Sequence, residues 1–358
     1  MNPHDTPTVT VIMPVYNAAK YLPDALDSLL AQTFRDFEIV AVNDGSTDDS
    51  ARVLAEYAAR DARIRVVHRE NGGCGAARNT GIALAKGRYI AQQDADDLSV
   101  PTRLERQAAF LDTHPDVCAA YCWTVLADES LKPELTICAP VKHAEILKIL
   151  HYRNALQPNF MIRKSALNEV GGLREAFRYA QDYDMNLRVA EAGKVFCLPH
   201  ALYVYRSHPN QTSVTRHSEQ VKFGALACTF LFERKLRGRD SYHEFSGAGD
   251  IDKFLVNYDL SPLFFFFAGR RFLRNFKITE ARKHLRQAMQ GDMKKNSARL
   301  LFAKSYLPYP ILKTLESFKS RFLRKQWTKR LSPEIQALLS KTAEAESSAG
   351  MLSRETPF

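Results

Sequence analysis

Along the first 120 residues, short apolar runs alternate with helix-period segments, and a polar cluster closes each run. Residues 8–13 (TVTVIM) form a β-rich run ended by Pro14. In the following AKYLPDALDSLLAQ, Leu22, Leu26, Leu29 and Leu30 recur at helical spacing. FEIVAV (37–42) is almost continuously apolar, the pattern of a strand covered on both faces of a parallel sheet. STDDSARVLAEYAAR opens with a Ser/Thr/Asp cap signal and continues as a helix. IRVVH (64–68), the helix GAARNTGIALAKG and the strand RYIAQQ complete three βα units, and a helix over 101–113 and a strand over 117–122 follow. The alternation predicts an α/β fold with a parallel sheet, whose ligands sit outside the carboxyl ends of the strands.

Beyond residue 141 the pattern loosens. It predicts a helix over 142–150, a strand near 158–163, a short helix over 164–170 and the turn GGL. A helix QDYDMNLRVAEAG then precedes two short strands, KVFCLP and LYVYR. From residue 221 helical signals dominate, in ITEARKHLRQAMQ, SARLLFAKSYL and YPILKTLESFKSRFLRKQW. Residues 333–358 are polar and aperiodic, which predicts a disordered tail. The expected organisation is an α/β unit over 1–220, a basic helical region over 221–332 and the tail.

The polar clusters fall at successive strand ends: PVYN (14–17), NDGSTDDS (43–50), ENGGCGAARN (70–79) and DADD (94–97). Any one is ordinary loop chemistry, but four in register describe a single site. On an extended strand Asp94 and Asp96 would share one side, about 6.6 Å apart. Two such charges repel by roughly 2.5 kcal/mol at an effective dielectric near 20, so something positive must receive them. A divalent cation answers that need, since oxygen ligands suit Mg²⁺ or Mn²⁺ held by one or two carboxylates plus substrate phosphates. Asp-rich turns also cap helices, and Asp97 before LSVPTRL fits that role. Asp44 can accept from a base or a ribose hydroxyl, with Gly45 serving the turn. Arg78, on the first turn of the third helix, offers a donor fork for phosphate. Asp182 and Asp184 are both candidates for a general base, and local sequence does not separate them. Arg206 and His208 lie in a loop after a strand, where His208 can ligate a metal or a phosphate or can simply be solvated.

With these residues on the page, the sequence resembles the inverting glycosyltransferases of family 2, of the GT-A fold. The resemblance runs over roughly 8–215 and rests on TVIMPVYNAAKYLPDALDSLLAQTFRDFEIVAVNDGSTDDS, GAARNTGIALAKGRYIAQQDADD, GGLREAF and QDYDMNLRV, in the family's order and spacing. It implies that Pro14, Tyr16 and Asp44 line the nucleotide and that Arg78 contacts the donor. It also implies that Asp94 and Asp96 form the DxD motif. Asp96 is then the direct metal ligand, Asp94 a ribose or metal contact, and His208 a further metal-site residue. Asp182 matches the second residue of the family's Glu-Asp motif and is the implied base, although Gln181 replaces the Glu. The QxxRW motif of processive members is missing from this region, which implies addition of single sugars. The implied activity is metal-dependent transfer from a nucleotide-diphosphate sugar, UDP-linked by expectation, to a hydroxyl of a glycan or lipid-linked acceptor in surface polysaccharide synthesis.

Charge and composition refine this picture. The net charge of +10 is concentrated in residues 221–330, with 24 Lys and Arg against 9 Asp and Glu. In PILKTLESFKSRFLRKQW, Ile311, Leu315, Phe318 and Phe322 recur at helical spacing among basic residues, which suits an anionic membrane surface. The same stripe would serve equally to pack on the catalytic unit. A nucleic-acid partner would use the charge but explains none of the strand-end clusters. A sugar-phosphate nucleotidyltransferase would need a glycine-rich basic loop where PVYNAAKY stands, and a non-catalytic nucleotide-sugar binder would have no use for Asp182. No apolar run approaches the length of a membrane span, the N-terminus lacks a secretion signal, and the six cysteines form no CxxC pair. The expectation is a cytoplasmic enzyme with free thiols, peripheral on the inner face of the membrane.

Overall fold

A computed structural model describes residues 6–304 apart from 152, 153, 155, 157, 158, 276 and 291–294. The basic stripe around Ile311–Phe322 and the tail over 333–358 lie outside the described residues, as does part of the predicted strand near 158. The chain opens with β1 (Val9–Val15), α1 (Leu22–Leu30), β2 (Phe37–Asp44), α2 (Ser50–Arg60), β3 (Ile64–Arg69), α3 (Cys74–Leu84) and β4 (Tyr89–Gln92), the predicted alternation. There follow β5 (Leu98–Ser99), α4 (Arg103–Thr113), β6 (Val117–Ala127), β7 (Pro133–Ile137), α5 (His143–Leu150), β8 (Met161–Arg163), α6 (Lys164–Glu169), α7 (Gln181–Ala192) and β9 (Lys194–Arg206). The remaining elements are helical: α8 (Thr212–Thr215), α9 (His217–Arg237), α10 (Tyr242–Ala248), α11 (Ile251–Val256), α12 (Ser261–Arg274), α13 (Ile278–Ala288) and α14 (Lys295–Lys304).

Among the described residues nine strands make one sheet in the order β3-β2-β1-β4-β8-β6-β9-β5, with β7 paired to β6. β3, β2, β1 and β4 are mutually parallel; antiparallel β8 then joins β4 to β6, which pairs parallel with β9. Because side chains alternate along a strand, β1 serves two cores. Val9, Val11, Met13 and Val15 pack with Leu22, Leu26 and Leu29 of α1 on one face, while Ile12 faces Ile82 of α3 on the other. That second core runs on without a break into the C-terminal helices, taking in Phe230, Phe254, Phe264 and Leu285.

Two expectations change in detail. KVFCLP and LYVYR are one strand: β9 runs through Pro199, and its register against β6 shifts at Cys122/Trp123 and Trp123/Thr124 to absorb the interruption. DADD is not a strand. β4 stops at Gln92, and Asp94–Asp97 form a turn before β5.

Candidate active site

β1, β2 and β4 end side by side, and their loops are tied together. Asn17, just past β1, takes a left-handed backbone (φ 49°), and its side-chain oxygen accepts from Thr47 N at 2.8 Å, locking the first loop to the second. Gly45 is required after Asp44: its φ is +73°, and a Cβ there would sit 2.9 Å from Asn71 N. Asp44 is buried, and its carboxylate accepts from Gly72 N (3.1 Å) and Gly73 N (2.8 Å) and pairs with Arg69 Nε at 3.1 Å. It therefore organises the glycine-rich entry to α3 as well as facing the ligand side of the sheet. Pro14 lies near the end of β1, and Tyr16, just beyond, is exposed.

The partners of the DADD carboxylates are now visible. Arg78 is buried on α3 and donates from Nη2 to Asp94 Oδ1 at 2.8 Å. Asp94 also accepts from Gln92 Nε2 at 3.0 Å. Asp96 turns the other way, with Oδ2 lying 3.0 Å from His208 Nε2. Asp97 is the most buried of the three, and it accepts from Arg206 N at 2.9 Å. Burial, then the charges of Asp96 and Asp94, push its carboxyl well above the usual aspartate range, opposed by the hydrogen bond from Arg206 N.

His208 is placed by its surroundings. Its ring packs on Tyr21 with centroids 4.6 Å apart, and Tyr21 donates its hydroxyl to Glu129 at 2.7 Å. Arg206, itself buried, crosses the other side of Tyr21, donates to Asp96 O at 3.1 Å and pairs with Asp24 at 2.6 Å. His208 Nδ1 is buried with no hydrogen-bond partner. The Asp96 carboxylate and the His208 imidazole are a donor pair suited to Mn²⁺ or Mg²⁺ completed by phosphate and water. Among the described residues no three His, Cys, Asp or Glu side chains converge as a metal cluster, because Asp94 faces Arg78 instead.

At the opposite wall, α7 separates the two aspartates that sequence left open. Asp184 is fully buried and consumed: Arg188 lies 2.8 Å from it and Arg174 3.5 Å. Arg174 in turn pairs with Asp240 at 2.8 Å, which binds the helical region to this helix. Asp182 faces the site, and its Oδ2 accepts from Asn154 Nδ2 at 2.9 Å. Burial raises its pKa, opposed first by the charge of Arg78. The β4 turn, α3 and α7 meet here: Arg78 of α3 holds Asp94 at 2.8 Å, and a Cβ at Gly75 of α3 would lie 3.7 Å from Gln181 Cγ at the start of α7.

The chain has relatives among known proteins in both sequence and fold. Residues 10–171 match the family described as glycosyl transferase family 2. An uncharacterized glycosyltransferase of Rickettsia prowazekii is 30% identical over 266 residues, 70% of this chain and 80% of its own length. The chain belongs to glycosyl transferase family 2. Another family 2 relative, the uncharacterized glycosyltransferase EpsJ of Bacillus subtilis, is 35% identical over 57% of this chain and 62% of its own length. Among solved structures, S. aureus TarS 1–349 in complex with UDP-GlcNAc superposes with a TM-score of 0.54 at 19% identity, covering 90% of this chain and 93% of that one. The mannosyltransferase PcManGT from Pyrobaculum calidifontis, in complex with GDP-Man and Mn²⁺, gives 0.51 at 18% identity, covering 96% and 87%. The family 2 chain thus has the GT-A fold: a mixed sheet with flanking helices and a helical C-terminal region.

Sequence reasoning missed Arg69, Asn154, Asn186, Tyr121 and Tyr21. Tyr21 and Asn186 fall inside the family stretches quoted above without standing out there, Asn154 and Tyr121 lie outside them, and each comes to its place through the tertiary fold. Only Arg69 carried a local signal, as a cation closing β3 immediately before the ENGG turn.

Proposed function

We propose that this family 2 chain is an inverting transferase that moves a single sugar from a nucleotide-diphosphate donor, UDP-linked in our reading, to a hydroxyl of a glycan or lipid-linked acceptor. The observation that carries the reading is Asp182, a site-facing carboxylate opposite Arg78 and Asp94 whose neighbour Asp184 is already neutralised by arginines. Pro14, Tyr16 and Asp44 line the nucleotide at the ends of β1 and β2. Arg78, fixed by Asp94, draws in the diphosphate and orients it. Asp182 accepts the proton of the acceptor hydroxyl as its oxygen attacks the anomeric carbon. The nucleoside diphosphate departs from the opposite face, so the configuration inverts. Asp96 and His208, with Asp94 beside them, would hold a divalent cation, Mn²⁺ or Mg²⁺, which when bound would neutralise charge on the diphosphate leaving group.

The positive charge of residues 221–330 supports an acceptor presented at an anionic membrane surface, within surface polysaccharide synthesis. No helix among the described residues is long and apolar enough to cross a membrane. Peripheral contact through the basic helical region is therefore the mode we propose, with 1–220 as the catalytic unit.

Calorimetry across UDP-, GDP- and dTDP-sugars with Mn²⁺ tests the donor class. Binding of one nucleotide class, with slow metal-dependent release of its sugar to water, is expected. No binding of any nucleotide sugar would contradict the reading.

A further inference from the structure

Asp182 is the end of a chain of hydrogen bonds that reaches into the core. Asn154, in the connection between α5 and β8, donates from Nδ2 to Asp182 Oδ2 at 2.9 Å. Its own Oδ1 accepts from Asn186 Nδ2 at 3.2 Å. Asn186 Oδ1 accepts the hydroxyl of Tyr121 at 2.7 Å. Asn186 sits one helical turn after Asp182 on α7, Tyr121 is in the middle of β6, and both are almost completely buried.

The direction of this chain follows from the chemistry of its end. An ionised carboxylate only accepts, so Asn154 must present its amide N–H groups to Asp182. Its carbonyl then faces Asn186, which must present N–H in turn, and the carbonyl of Asn186 is left to receive the tyrosine proton. Every donor points toward Asp182, an arrangement in which each bond polarises the next. A protonated Asp182 would not impose this order. The Asp182 carboxylate also takes the backbone N–H of Tyr183, the residue that follows it on α7, and Asn154 is the side chain that donates to Oδ2.

We propose that Asn154, Asn186 and Tyr121 are positioning residues that hold Asp182 ionised and oriented for the acceptor. The proposal rests on the reading of Asp182 as the base. Burial drives Asp182 toward its neutral form, and the charge of Asp94 adds to it, while the charge of Arg78, the Tyr183 backbone N–H and the Asn154 hydrogen bond act against it. Losing the Asn154 hydrogen bond therefore favours the protonated carboxyl, because a hydrogen bond to a charged group stabilises the charged form.

The test uses two variants of the full chain, Asn154→Ala and Tyr121→Phe. The second removes one hydroxyl at nearly constant volume and protects the test if the first folds poorly. The pKa of Asp182 is read without turnover, by infrared titration of ¹³C-aspartate-labelled protein, from the carboxylate band that Asp182→Asn removes. Asn154→Ala should raise that pKa by about one unit and Tyr121→Phe by a smaller step in the same direction. Donor affinity should stay within about twofold, and the acid limb of the pH–rate profile should move with the titration. An Asp182 pKa unchanged in both variants overturns the proposal. Transfer that survives in Asp182→Asn overturns the base reading instead, whatever the titration shows.

Discussion

His208 Nε2 lies 3.0 Å from Asp96 Oδ2, joining the loop after β9 to the turn after β4 across 112 positions of sequence. Neither residue is beside the other until β9 has crossed the sheet, so this donor pair is a product of topology. Replacing His208 with Ala removes one of the two proposed ligands and leaves the Tyr21 packing surface open. Mn²⁺ affinity, followed by electron paramagnetic resonance in the presence of UDP, should fall by about 10–100-fold while the far-ultraviolet circular dichroism stays unchanged. Unaltered Mn²⁺ affinity would remove His208 from the metal site.

The Arg78–Asp94 pair makes a prediction about pH. Arg78 lowers the Asp182 pKa, and Asp94 raises it. Arg78→Gln deletes the favourable charge and leaves the unfavourable one, so the protonated form of Asp182 gains. Because the base must be ionised, the acid limb of the transfer rate should move to higher pH. Donor affinity should fall at least about tenfold from loss of the phosphate fork. Calorimetry with the nucleoside diphosphate and a pH–rate profile measure the two effects separately.

Asp182 and Asp184 should part company in stability. Asp184→Asn leaves the buried guanidinium of Arg188 without its carboxylate and weakens the link through Arg174 to Asp240. Breaking a buried pair from one side costs about 3–5 kcal/mol. Chemical denaturation should show that loss for Asp184→Asn and less than about 1 kcal/mol for Asp182→Asn, whose carboxylate is uncomfortable in its buried setting.

His284 on α13 stacks on Phe272 with ring centroids 5.2 Å apart and nearly parallel planes. Burial, then the charges of Lys222 and Lys283, push its pKa down to about 4. The unfolded chain, near the ordinary value of 6.5, binds this proton more readily than the folded one. Stability from the neutral imidazole is therefore complete above about pH 6.5 and is lost as pH falls toward 4, by at most roughly 3 kcal/mol. His284→Phe should flatten that part of the stability profile in urea titrations at pH 7 and pH 4.5.

How much of this was legible follows the range of the signals. β1 to β4 and their helices were readable because each strand is a short apolar run and each helix carries its own leucine or alanine face. β5 has two residues, and β7 is an exposed edge strand beginning at Pro133, so neither has a hydrophobic pattern to show. Pro199 broke the reading of β9, since a proline inside a strand ordinarily marks an edge or an end. The strand-end clusters located the site. The choice between Asp182 and Asp184 was beyond local sequence: two positions apart on a helix, they point to different sides, and only Arg174 and Arg188 reveal which is structural. DADD reads in sequence as closing the fourth strand, where an extended backbone would set Asp94 and Asp96 on one side. The turn splits them between Arg78 and His208 and buries Asp97, which no period could announce.

The central claim is that Asp182 is the base, and Asp182→Asn tests it most directly. Once a donor and acceptor support turnover, the variant should bind the nucleotide sugar with wild-type affinity by calorimetry while transfer falls by about 10²–10⁴-fold. Transfer within a few-fold of wild type in Asp182→Asn, with the donor bound normally, would contradict the account.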